Sequence, residues 1–138
     1  MRASGTFKVV SFTPAPLTPE PPVETGLPVG VATMEKHYEG ESLSGRSATL
    51  FTAAFDQEAG VGSYVAMESF EGTLAGREGA FNFVHGATTD GGPDRSAEHF
   101  AIVPASGTRA LKGITGTGGL RVDEDGTHRI WFDFDLPA

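Results

Sequence analysis

The chain of 138 residues contains no cysteine. This absence excludes disulfide bonds, cysteine nucleophiles and thiolate metal sites. Long apolar runs are also lacking, because Ser4, Gly5, Thr6 and Lys8 interrupt the N-terminal stretch. A secretory signal needs about 7–15 unbroken apolar residues, and a membrane-spanning helix needs about 20. We therefore expect a cytoplasmic protein that does not associate with membranes.

Basic residues are scarce and scattered. The sequence has 10 Lys and Arg residues against 18 Asp and Glu residues, which gives a formal net charge of -8. A surface of this sign repels phosphate backbones and anionic lipids. The basic residues form no cluster, and no RNA-binding aromatic motif lies among them. Nucleic acid is therefore excluded as an expected partner.

Glycine is abundant, with 19 residues, and it separates runs in which apolar and polar side chains alternate. That alternation is typical of strands and turns. No window keeps the spacing of an amphipathic helix over three turns. The pattern predicts an all-β fold with strands at about Thr6–Thr13, Val31–Glu39, Ser47–Asp56, Ser63–Gly72, Gly79–Thr88, Ser96–Ala105, Ala110–Thr115 and His128–Leu136.

Short strands at regular spacing predict a sandwich or a barrel. Glycines near strand ends and within strands, at Gly40, Gly72 and Gly113, favour a barrel because they let strands bend sharply. We expect a single domain over residues 1–138, a small antiparallel β-barrel of about eight strands. A proline-rich stretch at about 14–28 cannot form an interior strand. It is either a plain surface connector or a rim over a pocket.

Two parts of the sequence resemble a known family. One is the run from Tyr64 to Phe81, which contains Gly-Thr-Leu-Ala-Gly-Arg at 72–77. The other comprises Ser-Gly-Thr at 106–108, Leu-Lys-Gly-Ile at 111–114, Gly-Thr-Gly at 116–118 and the closing His128, Trp131, Asp133 and Leu136. Together they resemble a bacterial domain-of-unknown-function family that is similar to the allene-oxide-cyclase-like barrels. The resemblance implies an eight-stranded barrel around a small cavity, and it implies no established activity.

On three of the predicted strands, alternation places polar side chains on the same face as inward aromatic ones. The catalytic candidates are Tyr64, Glu68, His85 and His128, and the ligand-binding candidates are Phe81, Phe83, Phe132 and Phe134. If these faces point inward, the four polar groups could meet and act as general acid and base without a metal. Each could instead be a structural buried group, and Arg77 or Tyr64 would then pair with Glu68.

No motif for a metal or cofactor is present. The four histidines lack the spacing of a zinc motif. The acidic run at 123–126 lacks the rest of a calcium loop, and the glycine-rich run at 113–119 lacks the lysine of a phosphate loop. No nucleophile elbow of a serine hydrolase occurs. We therefore expect neither a metal nor an organic cofactor.

Two hypotheses for the function remain open. In the first, the barrel binds a small hydrophobic metabolite and acts as a cofactor-independent cyclase or isomerase by holding it in a reactive shape. In the second, the barrel is a non-catalytic ligand carrier or an oligomerisation module, and aromatic side chains simply fill it. An internal cavity favours the first hypothesis, whereas a solid core favours the second. The sequence leaves open whether the protein is an enzyme.

Overall fold

A computed structural model describes every residue from Met1 to Ala138 and contains no α-helix. The prediction of an all-β fold is confirmed. No helix of the chain is long and apolar enough to cross a membrane. The elements are β1 Arg2–Ala15, β2 Val29–Glu39, β3 Leu43–Asp56, β4 Val61–Leu74, β5 Arg77–Asp90, β6 Arg95–Ile102, a 3₁₀ turn Arg109–Leu111, β7 Thr115–Val122 and β8 His128–Asp135.

The strands form one closed antiparallel barrel in sequence order. β8 returns to β1 and pairs with it from Arg2–Asp133 to Phe7–His128, which leaves neither strand as a free edge. The narrowest seam lies between β6 and β7, where Ala101–Thr117 is the one paired position. The predicted barrel of about eight strands is confirmed.

Side-chain alternation divides each strand into an inner and an outer face. In β4, Ala66, Glu68 and Phe70 are buried, whereas Val65 and Met67 are exposed. A register shift in β1 near Val10 changes the parity, so both Val9 and Phe12 pair with inward-facing residues of β2. The inward faces predicted for Tyr64, Glu68, His85, Phe132 and Phe134 are those that the structure shows.

One end of the barrel is solid. Phe132 lies fully buried at its centre, with its ring centroid 5.1–6.2 Å from those of its four aromatic neighbours, Phe70, Phe81, Phe83 and Phe100. The segment between β6 and β7 covers this end, because Leu111 and Ile114 are completely buried. We call it the filled end. The opposite end, where β4 begins and β5 finishes, is the open end.

The prediction of the seventh strand at Ala110–Thr115 is wrong. Arg109–Leu111 is a 3₁₀ turn, and the strand is Thr115–Val122. The glycines at 116, 118 and 119 make this segment resemble a loop, yet they are needed for close packing. A Cβ on Gly118 would meet the Trp131 carbonyl oxygen and lie 2.6 Å from Cε1 of Phe100. The indole ring of Trp131 likewise covers Gly119 on the outer face.

The proline-rich stretch links β1 to β2 along the surface at the open end. Pro14 and Ala15 belong to β1, where they pair with Ala32 and Val31. Residues 16–28 are exposed except for Leu27, which is half-buried. Pro14 and Pro28 line a small apolar pocket of about 240 Å³ on the inner surface of the rim.

Candidate functional site

A cavity of about 290 Å³ opens at the open end of the barrel. Its size lies near the lower limit of small-molecule sites, which are commonly ~300–1,000 Å³. Its apolar lining consists of Phe7, Val9, Met34, Phe51, Phe55, Ala66 and Leu120, and its polar lining of Lys36, Tyr64, His85, Thr89, Arg95 and His128. We call it the open-end cavity. Mostly apolar walls with a few convergent polar groups are the usual makeup of a ligand site.

A larger depression of about 1,010 Å³ lies on the outer surface between β1, the β2–β3 turn and β8. It is shallow and polar, and its arginines are already paired. Arg2 forms a two-pronged ion pair with Asp133, at 2.7 and 2.9 Å. Arg121 and Arg129 both bond to Asp123. The smaller cavity, whose lining is mostly apolar, is therefore the better candidate site.

Strand alternation brings the cavity's polar groups together from separate strands. Tyr64 is inward on β4, and His85 is inward on β5 two positions after Phe83. His128 begins β8 and pairs with Phe7, and Arg95 begins β6 and pairs with Thr89. The predicted residues Tyr64, His85 and His128 thus lie around one cavity.

Glu68 lies next to this cavity without lining it. It is 1 % exposed and accepts hydrogen bonds from three side chains. Lys36 donates to Oε1 at 2.8 Å, Ser47 donates to Oε2 at 2.6 Å, and Tyr38 also donates to Oε2. Neither Arg77 nor Tyr64, the partners expected from the sequence, contacts it. Arg77 is exposed at the start of β5, and Tyr64 bonds to Arg95 instead.

We call Lys36, Tyr38, Ser47 and Glu68 the buried polar cluster. Burial and the adjacent Glu68 carboxylate raise the pKa of Tyr38 well above its usual value, so the phenol stays protonated and donates. Thr49 is the next inward-facing residue after Ser47 on β3, and its buried hydroxyl has no hydrogen-bond partner. The Lys36 ammonium also lies 4.8 Å from the ring centroid of Phe7, so the cluster meets the cavity at Lys36.

His85 joins the cavity to a carboxylate on β6. Its Nε2 lies 2.8 Å from Oε2 of Glu98, whose side chain is about one-third exposed. Burial lowers the pKa of His85 below its ordinary value, although Glu98 acts in the opposite direction. His85 is therefore neutral near pH 7. If Nε2 donates to Glu98, the other ring nitrogen, Nδ1, is left as an acceptor.

Tyr64 and Arg95 form the second polar pair. Arg95 Nε donates to the Tyr64 hydroxyl at 2.9 Å. Burial raises the pKa of Tyr64 despite the nearby positive charge of Arg95, so Tyr64 is a neutral phenol. No carboxylate lies within ion-pair distance of the Arg95 guanidinium. Arg95 is thus a half-buried cation whose only side-chain partner is uncharged.

His128 lines the cavity from β8, beside Phe7 of β1. Its ring centroid lies 5.0 Å from that of Phe7, and the residue is half-buried. Burial is the main reason that its pKa is lowered, and the positive charges of Lys36 and Arg95 act in the same direction. His128 is therefore a neutral imidazole at pH 7.

The four phenylalanines expected to contact a ligand lie elsewhere. Phe81, Phe83, Phe132 and Phe134 pack in the filled end, and none lines the open-end cavity. The apolar walls come from other residues, chiefly Phe7, Met34 and Phe51. Strand parity predicts whether a side chain points inward, but it does not predict the position of that side chain along the barrel axis. It therefore could not show which inward aromatic residues line the cavity and which lie in the filled end.

Sequence reasoning also missed Lys36 and Arg95. A signal for Lys36 existed, because it alternates with Met34 and Tyr38 on one face of β2. The sequence contained no such signal for Arg95, because this residue follows a turn and is the first residue of β6. Nowhere in the chain do three or more histidine or acidic side chains form a group that could hold a metal ion.

Comparison with known proteins agrees with this fold. A search of curated proteins found no match. Among solved structures, the chain is similar to a protein of unknown function of the DUF3224 family from Shewanella oneidensis MR-1. The two are 29 % identical with a TM-score of 0.79, over 100 % of this chain and 98 % of the other. The family model "Protein of unknown function (DUF3224)" matches residues 3–134. The chain therefore belongs to the DUF3224 family.

Proposed function

We propose that this protein binds a small, largely hydrophobic molecule in its open-end cavity. The observation that carries this proposal is the contrast between the two ends of the barrel. Aromatic side chains pack together in one end, whereas the other end has an open cavity of about 290 Å³ between apolar walls and a few polar groups. A barrel serving only as a packing unit would gain stability from filling that space. The family resemblance to allene-oxide-cyclase-like barrels is consistent with a ligand-binding cavity.

The test uses N-phenyl-1-naphthylamine, a neutral fluorophore that brightens in apolar surroundings. We expect saturable binding to the wild-type protein. Ala66→Phe should abolish binding, because Ala66 lines the cavity and the larger ring would occupy it. Val65→Phe is the matched control, since Val65 is the neighbouring residue on the outer face and is 56 % exposed. Equal binding by both variants would place the probe outside the cavity and contradict the proposal.

A second candidate function is isomerisation or cyclisation of the bound molecule without a cofactor. The specific observation in its favour is the pairing of His85 with Glu98 beside the cavity, at 2.8 Å. A neutral histidine oriented by a carboxylate can accept a proton from a bound substrate. Tyr64 and His128, on the walls around it, could return that proton. Glu68 is not part of this set, because its oxygens are already engaged by the buried polar cluster.

Proton abstraction leaves an isotopic trace even when the substrate is unidentified. A small-molecule extract incubated in deuterium oxide with the protein should contain at least one compound that gains carbon-bound deuterium, which remains after transfer to ordinary water. His85→Gln should remove this gain while keeping the binding of the naphthylamine probe. Deuterium labelling that is equal in the wild-type and His85→Gln samples, or absent from both, would reject this second function and leave the binding proposal intact.

A further inference from the structure

The charge of the open-end cavity is opposite to that of the whole protein. The chain carries a formal net charge of -8. Nevertheless, no Asp or Glu lines the cavity, and its ionisable groups are Lys36, Arg95, His85, His128 and Tyr64. Two of the 10 Lys and Arg residues, Lys36 and Arg95, line this apolar cavity, where a positive charge without a carboxylate partner favours anions.

Of the two cations that line the cavity, only Arg95 lacks a carboxylate partner. Lys36 is neutralised by Glu68 at 2.8 Å, and His85 is bonded to Glu98 at 2.8 Å. Arg95 has no carboxylate within ion-pair distance, and its Nε bonds to the neutral hydroxyl of Tyr64. A guanidinium carries five donors in a planar fork that matches a carboxylate. The bond to Tyr64 uses Nε and fixes the plane of the group while the Nη donors remain for a ligand.

The apolar space continues from the cavity in one direction. Phe51 and Phe55 line both the open-end cavity and the apolar pocket of about 240 Å³ inside the rim. That pocket includes Phe12 and Pro28, from β1 and the end of the proline-rich loop. It therefore lies on the β1–β3 side of the barrel, whereas Arg95 is on β6.

We infer that the ligand is an amphipathic carboxylate whose head group binds Arg95 and whose apolar tail lies along Phe51 towards Phe12 and Pro28. This inference rests on the proposed binding function and adds the chemical class and the orientation of the ligand. Charge-assisted hydrogen bonds to a half-buried arginine supply selectivity for the head group. The pocket lined by Phe12, Phe51, Phe55 and Pro28 accepts a tail of variable length.

The experiment compares octanoate with 1-octanol as competitors of the bound naphthylamine probe at pH 7. The two have the same chain and differ in the charge of the head group. We expect octanoate to displace the probe at a concentration about tenfold lower, or more, because hydrogen bonds to charged groups exceed neutral ones by about that factor. Shortening the chain to hexanoate should weaken competition by up to about fifteenfold, because two buried methylenes are lost.

Arg95→Gln should weaken competition by octanoate far more than competition by octanol, so that the preference for octanoate is lost. Arg95→Lys keeps the charge and should retain part of the preference. Arg2→Gln is the control, since Arg2 is an exposed arginine paired with Asp133 on the outer surface. Thermal melts identify any variant that fails to fold, and the wild-type comparison stands without the variants.

The outcomes separate the two proposals. If the probe binds and octanol competes as well as octanoate, the carboxylate inference is overturned and the binding proposal stands. If the preference for octanoate survives in Arg95→Gln, the assigned head-group site is wrong. If neither the probe nor the octyl compounds bind the wild-type protein, the proposed function fails and the inference fails with it.

Discussion

At the scale of single residues, Glu68 is a buried side chain that three hydrogen bonds hold in place. It is 1 % exposed and holds Lys36, Tyr38 and Ser47 through its two oxygens. A buried carboxylate with three donors is satisfied, so its removal harms the partners it leaves behind. Lys36 is the most vulnerable partner, because its side chain is only 10 % exposed and has no second carboxylate.

We therefore predict that Glu68→Gln destabilises the fold by about 3–5 kcal/mol, since one member of a buried ion pair is removed and the other keeps its charge. Urea denaturation followed by tryptophan fluorescence measures this difference. The matched control is Glu68→Gln combined with Lys36→Met, which removes both charges and should recover most of the loss. A single variant as stable as the wild type would show that Lys36 reaches water through the cavity without cost.

Adjacent residues of β8 differ sharply in what they contribute. Phe132 is fully buried against Phe70, Phe81, Phe83 and Phe100, so Phe132→Ala should cost about 3–5 kcal/mol through lost burial and a residual cavity. Asp133 is a surface residue paired with Arg2, and solvent screens that pair. Asp133→Ala should therefore shift the denaturation midpoint far less. The reverse order in parallel urea melts would contradict the inward face assigned to Phe132.

Alternation of residue types predicted the inward direction of His85 and His128, because strand geometry determines which face a residue occupies. The prediction for Tyr64 and Glu68 was less clear, because both faces of their strand carry apolar residues. The partners of Glu68 could not be predicted in this way. Lys36 and Ser47 lie on β2 and β3, and their contact with Glu68 depends on the register of three strands. That register depends on the turn geometry and loop length of two successive hairpins as well as on the hydrophobic pattern, so alternation within one strand does not determine it.

At the scale of elements, β7 shows where composition misleads. Its sequence contains three glycines in eight residues, which is typical of a turn when only local residues are considered. In the barrel these glycines lie where neighbouring atoms approach too closely for a side chain. The alternating apolar residues from Ala110 onwards favour a strand by the same local criterion. The segment Arg109–Leu111 nevertheless forms a 3₁₀ turn, because the side chain of Leu111 is completely buried against the filled end.

This explanation predicts that Gly118→Ala destabilises the protein by about 1–3 kcal/mol, since the added methyl would overlap the Trp131 carbonyl and the Phe100 ring. Gly26→Ala serves as the control, because no atom lies within 4 Å of the position that its Cβ would occupy. That change should leave the thermal midpoint unchanged or slightly raised, since alanine restricts the unfolded chain. Equal effects of the two substitutions would show that packing does not require glycine in β7.

At the scale of the whole molecule, the barrel combines an end that aromatic side chains fill with an end that contains a cavity. The sequence predicted the closed architecture because strand number, turn positions and alternation are all local patterns. It could not predict which end would be empty. Phe81, Phe83, Phe132 and Phe134 face inward as strongly as Phe7 or Phe51 do, and only their height in the barrel separates core from cavity.

The stability of the whole molecule should depend on pH through the two histidines of the cavity. Burial lowers the pKa of both His85 and His128 below the ordinary value of 6.5. The groups that face His85 are Tyr64, Glu98, Arg95 and Lys36, and of these only Glu98 favours its protonation. Between the folded and unfolded pKa values, the unfolded chain binds more protons than the folded one, so acidification favours unfolding.

We predict that this contribution is complete above pH 6.5 and is lost as the pH falls below it. The thermal midpoint of the wild type should fall between pH 7.5 and 5.5 more than that of a His85→Gln, His128→Gln double variant. His37→Gln is the control, because His37 is exposed and lies outside the cavity. Histidine proton resonances followed by NMR would locate the titrations directly. Resonances of His85 and His128 that titrate above 6.5 would reverse the sign and show that the cavity holds them as cations.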